Sequence, residues 1–260
     1  MMITADNVPE IQILDTWIHM VPSSDVMTLM AHWIETEPQQ VHHVVNTGMH
    51  GIMEAHKDSA FADVLNSADI LAPDGILAIL IARFYGYRIK KRDTGPELLW
   101  SFSEIAHRKG YRYFFFGDTE DTLEQLSNKL RSEFPGLQIA GCHSPPFRSW
   151  TPDEDEAMVD MINRAEPDVL WVGLGMPRQE QWIFSHREAL RVPVVVGAGA
   201  AFKFLGGTVS RAPAIVCNLG FEWLWRLLQE PQRVWRRVFI DAPLFVTLVL
   251  LQLTGIRKFQ

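Results

Sequence analysis

The chain has 260 residues but only two cysteines, Cys142 and Cys217. Two thiols cannot build a disulfide framework, and their spacing is not that of metal ligands, so a reducing cytoplasmic setting fits. No apolar run reaches the ~18 residues that a spanning helix needs. The opening Met1-Met2-Ile3-Thr4-Ala5-Asp6 has no basic stretch leading into an apolar one, which argues against a secretory signal. There is no His/Cys/Asp cluster with zinc spacing, no G-x-S-x-G nucleophile elbow and no lysine-bearing phosphate loop. The 17 glycines and 15 prolines are scattered, so low-complexity and collagen-like structure are excluded. Apolar residues make up 47% of the chain, enough for one sizeable core or two small ones.

The net charge of −7 hides an asymmetry. Residues 203–260 hold eight Lys/Arg against three acids, which leaves +5 there and −12 on the remainder. An acidic body with a basic, apolar tail argues against nucleic-acid binding and for a tail that meets anionic phosphates or an anionic membrane surface.

Short apolar runs predict strands at Val41–Val45, Asp69–Ala72, Tyr111–Phe116, Leu137–Gly141, Val169–Val172 and Val194–Val196. Helical patterns lie between them, at Ser24–Thr36, Ile76–Tyr85, Glu97–Arg108, Thr119–Phe134, Asp153–Ala165 and Pro177–Ala189. The alternation implies an α/β fold, a mostly parallel sheet flanked by helices. Ligands of such sheets bind where strands end at their carboxyl side. The last fifty residues differ: Phe221–Gln229 is helical and aromatic-rich, and Leu244–Leu253 is almost wholly apolar. Ten helical residues rise about 15 Å, half a hydrocarbon core, so this segment lies in an interface or packs on the body. The expected division is a core over 1–210 and a helical appendage over 211–260.

Five stretches carry candidate chemistry. In Pro73-Asp74-Gly75, the aspartate is placed to cap a helix or to act as a base at the mouth of a site, and spacing alone favours the cap. Asn46-Thr47-Gly48-Met49-His50 reads as a strand-to-helix turn or as a set of contacts to ligand hydroxyls and phosphate. Gly173-Leu174-Gly175 and Gly197-Ala198-Gly199 each lack the third glycine of a dinucleotide fingerprint, which weakens a Rossmann-type oxidoreductase reading. The first pair leads into Arg178-Gln179-Glu180, polar residues at a helix start. Arg226, Arg233, Arg236 and Arg237 share one helical face if the helix continues past Pro231, and would grip a diphosphate or greet lipid head groups. Asp153-Glu154-Asp155 has a metal-type spacing but is better explained as first-turn acids.

In order along the chain, Leu65-Asn66-Ser67-Ala68-Asp69 with Pro73-Asp74-Gly75, Arg92 with Thr94-Gly95-Pro96, Phe115-Phe116-Gly117, Val172 through Glu180, Arg211-Ala212-Pro213, and Gly220 through Leu227 with Glu230-Pro231-Gln232-Arg233 resemble the WecG/TagA/CpsF glycosyltransferases, glycosyltransferase family 26. The resemblance spans roughly Val41 to Arg237. It implies a Rossmann-like, inverting enzyme that needs no metal or other cofactor. Such an enzyme moves a hexose or N-acetylhexosamine from a UDP-sugar to a polyprenyl-diphosphate-linked sugar at the inner face of the cell membrane. It implies Asp74 as base. It places Asn46, Thr47, Arg92, Gly95, Gly117, Gly173, Gly175, Gln179, Glu180, Gly199 and Arg211 around the substrates, with Arg226, Arg233 and Arg236 as a diphosphate clamp. Two departures stand out: Asn46-Thr47-Gly48 replaces the family's Thr-x-Asn, and Lys203 stands where members tend to carry Asp. A non-catalytic membrane-associated subunit is the competing reading, and self-association is left open.

Overall fold

The computed structural model describes residues 4, 7–87, 94–210 and 222–259, apart from the side chains of Ile76, Glu222, Arg226 and Arg233. Six parallel strands form one sheet: β3 (His42–Thr47), β4 (Ile70–Pro73), β5 (Arg112–Gly117), β6 (Gln138–His143), β7 (Val169–Gly173) and β8 (Val194–Gly197), in the order β4-β3-β8-β7-β5-β6. A two-stranded antiparallel hairpin precedes it, β1 (Glu10–Ile13) and β2 (Thr16–His19), which the apolar pattern did not announce. The hairpin covers the outer edge of β4, where His19 Nδ1 accepts the Leu71 N–H at 3.1 Å.

Alternation along the strands sorts side chains between the two faces. Val44, Tyr113 and Phe115 join one core, under α1 (Ser23–Thr36), α5 (Gly95–Lys109) and α6 (Glu120–Glu133). Val45 joins a second core with the hairpin, α2 (Met49–Lys57), α3 (Ser59–Asn66) and α4 (Ile76–Phe84). Phe114 and Phe116 join a third, under α7 (Pro152–Arg164) and α8 (Arg178–His186). Both faces of the central strands are therefore covered, which is why β4, β5, β7 and β8 read as apolar runs, while the edge strand β6 stays partly exposed. In α7, Thr151 and Glu154 form a capping box, and Asp155 accepts the Trp182 Nε1–H at 2.8 Å. Two of the three acids in that stretch are thus occupied within the fold.

The C-terminal region has four pieces: α10 (Glu222–Gln229), α11 (Pro231–Arg236), a π-helical turn (Arg237–Asp241) and α12 (Ala242–Leu253), after the short α9 (Ala201–Gly206). Phe245, Leu248 and Val249 of α12 are buried in the second core, while Leu244, Val246 and Leu250 are exposed. Gln252 pins the helix to the hairpin, accepting the Leu14 N–H and donating to the Gln12 carbonyl, both at 2.9 Å. α12 therefore packs on the body along one face. No helix among the described residues is long and apolar enough to cross a membrane.

Candidate functional site

The carboxyl ends of β3, β4, β7 and β8 surround a cavity of about 610 Å³. β3 runs into Asn46 and Gly48, and β4 into Asp74 and Gly75. Gly175 and Gln179 come from the β7–α8 junction, and Gly197, Ala198 and Gly199 from the end of β8. Thr94 and Gly95 enter from the start of α5, and Trp223, Val234, Arg237 and Ala242 from the C-terminal helices. The wall thus has three sources: strand ends of the sheet, the start of α5, and helices from the last forty residues.

Asp74 is brought close to β3 by its own backbone, whose N–H donates to the Thr47 carbonyl at 2.6 Å. A Cβ on Gly48 would stand 2.3 Å from the Asp74 carbonyl oxygen, so the approach of the two loops depends on that missing atom. The Asp74-Gly75 pair opens α4, and Gly75 adopts φ 88, which supplies the turn. Asn46 is half-buried, and its Nδ2 has no hydrogen-bond partner.

Helix starts differ around the molecule. α3, α6 and α7 begin on the side chains of Asp58, Thr119 and Thr151. α2, α4, α8 and α9, which begin beside the cavity, have no side-chain cap. In α8 and α9 the Gln179 and Ala201 N–H groups bond to the Gly175 and Ala198 carbonyls, and first-turn N–H groups without a side-chain cap face the cavity from the positive end of the helix field.

Gln179 ties several groups of the wall together. Its Oε1 accepts from the Gly175 N–H at 3.1 Å and the Gly199 N–H at 3.0 Å, and its Nε2 donates to Glu180 Oε1 at 2.6 Å. Glu180 is fully buried behind it, and burial pushes its carboxyl up to about 7. His50 lines the cavity near Arg237, and burial, followed by that guanidinium, pushes its imidazole down to about 4.

Of the residues expected from the sequence, Asn46, Asp74, Gly95, Gly175, Gln179 and Gly199 share the cavity. Thr47 is buried beneath the wall with its Oγ1 unpartnered. Gly117 and Gly173 serve close packing instead. A Cβ on Gly117 would sit 2.6 Å from the Gly173 backbone, and one on Gly173 would meet the Phe202 ring at 2.4 Å. Phe202 thereby fills the crevice between β5 and β7, where the strand order reverses. Arg92 and Arg211 lie outside the described residues, as do the side chains of Arg226 and Arg233.

The single continuous helix assumed for the arginines does not form. α10 ends at Gln229, Glu230 leaves helical geometry at φ −130, and α11 restarts at Pro231. Arg236 is exposed with its guanidinium 5.7 Å from the Trp235 ring centroid, and the next residue, Arg237, is the one on the cavity wall. His50 and Arg237, both in stretches the sequence offered as ligand contacts, are on the wall, whereas Trp223, expected in a membrane interface, was missed as a wall residue.

Comparison with known proteins adds a second line. The model of the glycosyl transferase WecG/TagA/CpsF family matches residues 11–258. A protein of Bacillus spizizenii strain W23 named N-acetylglucosaminyldiphosphoundecaprenol N-acetyl-beta-D-mannosaminyltransferase is 34% identical over 197 residues, 76% of this chain and 74% of its own. One of the same name from Bacillus subtilis strain 168 is 30% identical over 239 residues, 90% of each chain. Another from Staphylococcus aureus strain MW2 is 29% identical over 177 residues, 68% of each.

Proposed function

The chain belongs to the WecG/TagA/CpsF glycosyltransferase family, and on that premise we propose that it transfers a hexose or N-acetylhexosamine from a UDP-sugar to a polyprenyl-diphosphate-linked sugar in cell-surface polysaccharide synthesis. The observation that carries the reading is the meeting of Asp74 and four uncapped helix starts on one cavity. A carboxylate beside donors aimed at oxygen is what a displacement at an anomeric carbon needs: a base for the incoming hydroxyl and a field for the departing diphosphate.

The reaction is a single displacement. Asp74 takes the proton of the acceptor hydroxyl as that oxygen bonds to the anomeric carbon, and the bond to the UDP oxygen breaks on the opposite face, inverting the centre. The charge left on UDP is met by N–H groups at the helix starts and by Arg237. Gln179 and Asn46 contact the donor. The C-terminal helices form one unit that roofs the site over the 1–210 core and brings it to the inner membrane face, where the acceptor's lipid is held. Their exposed Phe239, Ile240, Leu244 and Leu250 suit an interface between water and hydrocarbon.

The test is UDP release from a panel of UDP-sugars with a synthetic lipid-diphosphate-N-acetylglucosamine acceptor, with and without EDTA. Acceptor-dependent release that survives EDTA and is lost in Asp74→Asn supports the reading. Release abolished by EDTA overturns the metal-free mechanism, and release unaffected by Asp74→Asn overturns the base.

A further inference from the structure

Gln179 has a carboxamide with two acceptor lone pairs and two N–H donors. The lone pairs are taken by the Gly175 and Gly199 N–H groups, and one donor by Glu180. One donor is left over at the cavity wall. The two glycines belong to different loops, one after β7 and one after β8, so this single carboxamide ties two walls of the cavity together.

What fixes the carboxamide itself is Glu180. The side chain is 0% exposed, its Oε1 lies 2.6 Å from Gln179 Nε2, and its Oε2 has no hydrogen-bond partner. A carboxyl buried at such cost, with half its acceptors unused, is not explained by stability. The pair also presses on the wall from behind: a Cβ on Gly197, whose backbone lines the cavity, would stand 2.8 Å from Gln179 Nε2 and 3.0 Å from Glu180 Oε1. A flipped carboxamide would set its oxygen against the Glu180 oxygen and its NH₂ against two N–H groups, so both ends of the contact specify one orientation.

We infer that Glu180 is a positioning residue: by accepting from Gln179 Nε2 it holds the carboxamide that clamps the Gly175 and Gly199 loops, and so sets the shape of the donor side of the cavity. The inference rests on the proposed function only in naming that side as the donor's. An oxygen acceptor at this place is what matters. Burial, which pushes the Glu180 carboxyl up to about 7, leaves acid and carboxylate forms both populated near neutrality, and each offers Oε1.

The experiment compares Glu180→Gln, which keeps the oxygen and imitates the protonated acid, with Glu180→Met, which keeps the length and removes the acceptor. Amide hydrogen exchange at Gly175 and Gly199 is read without any ligand. The expected result is exchange about tenfold faster in the Met variant and unchanged in the Gln variant. In turnover, KM for the UDP-sugar rises about tenfold in the Met variant with kcat within about threefold, and Gln restores it. Equal exchange in all three proteins overturns the inference, as does a Gln variant no better than Met. If wild-type protein turns over no UDP-sugar, the donor reading falls while exchange still decides the clamp. Should the Met variant fail to fold, hydrogen exchange of the Gln179 side-chain amide is followed instead. One of its Nε2 protons is expected to exchange slowly in the wild type and in Glu180→Gln, as a donor held by an oxygen, and two protons that exchange as fast as those of an exposed carboxamide overturn the inference.

Discussion

Lys57, at the last turn of the helix that starts on the cavity wall, donates to Asp241 of the C-terminal π-turn at 2.9 Å, across 184 residues of sequence. Asp241 is buried and Lys57 half-exposed, so the pair is a seam between the sheet's helices and the C-terminal ones. Removing the ammonium leaves a carboxylate with less compensation for its burial. Lys57→Met is expected to lower stability by about 1 kcal/mol, seen as a lower urea midpoint at unchanged slope. A midpoint equal to wild type would mean that the seam is held by apolar contacts alone.

Asp74→Asn is expected to cut turnover by about 10²–10⁴-fold. The Asp74 backbone N–H, which binds the Thr47 carbonyl, is unchanged by the substitution. Steady-state rates and a melting curve on one preparation separate chemistry from folding.

Gly48→Ala tests the approach of the two loops. The added methyl would stand 2.3 Å from a backbone oxygen, which cannot rotate away, so the Asp74 loop must move. With Asp74 as the proposed base, its displacement is expected to lower kcat about 10²-fold. Activity near wild type would show that the loop moves without consequence.

The dependence of stability on pH has two limbs. Burial pushes the fully enclosed His43 down to about 3 and His50 to about 4, while the unfolded chain takes these protons near 6.5. Their stabilising effect is complete above 6.5 and is lost as pH falls toward the folded values. Glu180 runs the other way: its folded value is about 7 against 4.5 unfolded, so its contribution is present below 4.5 and lost as pH rises through 7. Between pH 5 and 8 the wild type should lose on the order of 2 kcal/mol relative to Glu180→Gln. Calorimetry of both proteins across that range gives the difference directly, and parallel curves would contradict it.

The strands at the centre of the main sheet were legible because both of its faces are covered there, so β5, β7 and β8 are apolar runs in a polar surround. The hairpin was not, because Glu10–Ile13 and Thr16–His19 are four residues each and turn at Leu14-Asp15 without glycine or proline. The short α2 was hidden for a related reason: Asn46-Thr47-Gly48 reads as a turn, and nine residues give little periodicity. Among the site residues, those at strand ends could be placed from topology, and Asn46, Asp74, Gly175 and Gly199 are at the cavity. The arginines could not. The helix breaks at Glu230, between Arg226 and the Arg236-Arg237 pair, so spacing counted along one continuous helix does not give their relative facing. Glu180 was expected around the substrates, but tertiary packing buries it fully behind Gln179 and off the cavity wall, which its place at a helix start did not reveal.

The clasp between Gln252 and the hairpin joins groups 238 positions apart. During synthesis the hairpin leaves the ribosome long before its partner helix exists. The sheet and its helices can therefore fold around an unroofed cavity, and the roof closes only when the last turn of α12 emerges. A nascent copy ending before Arg237 would own Asp74 and the glycine loops yet lack the Arg237 side of the wall, so the cavity is completed late in synthesis.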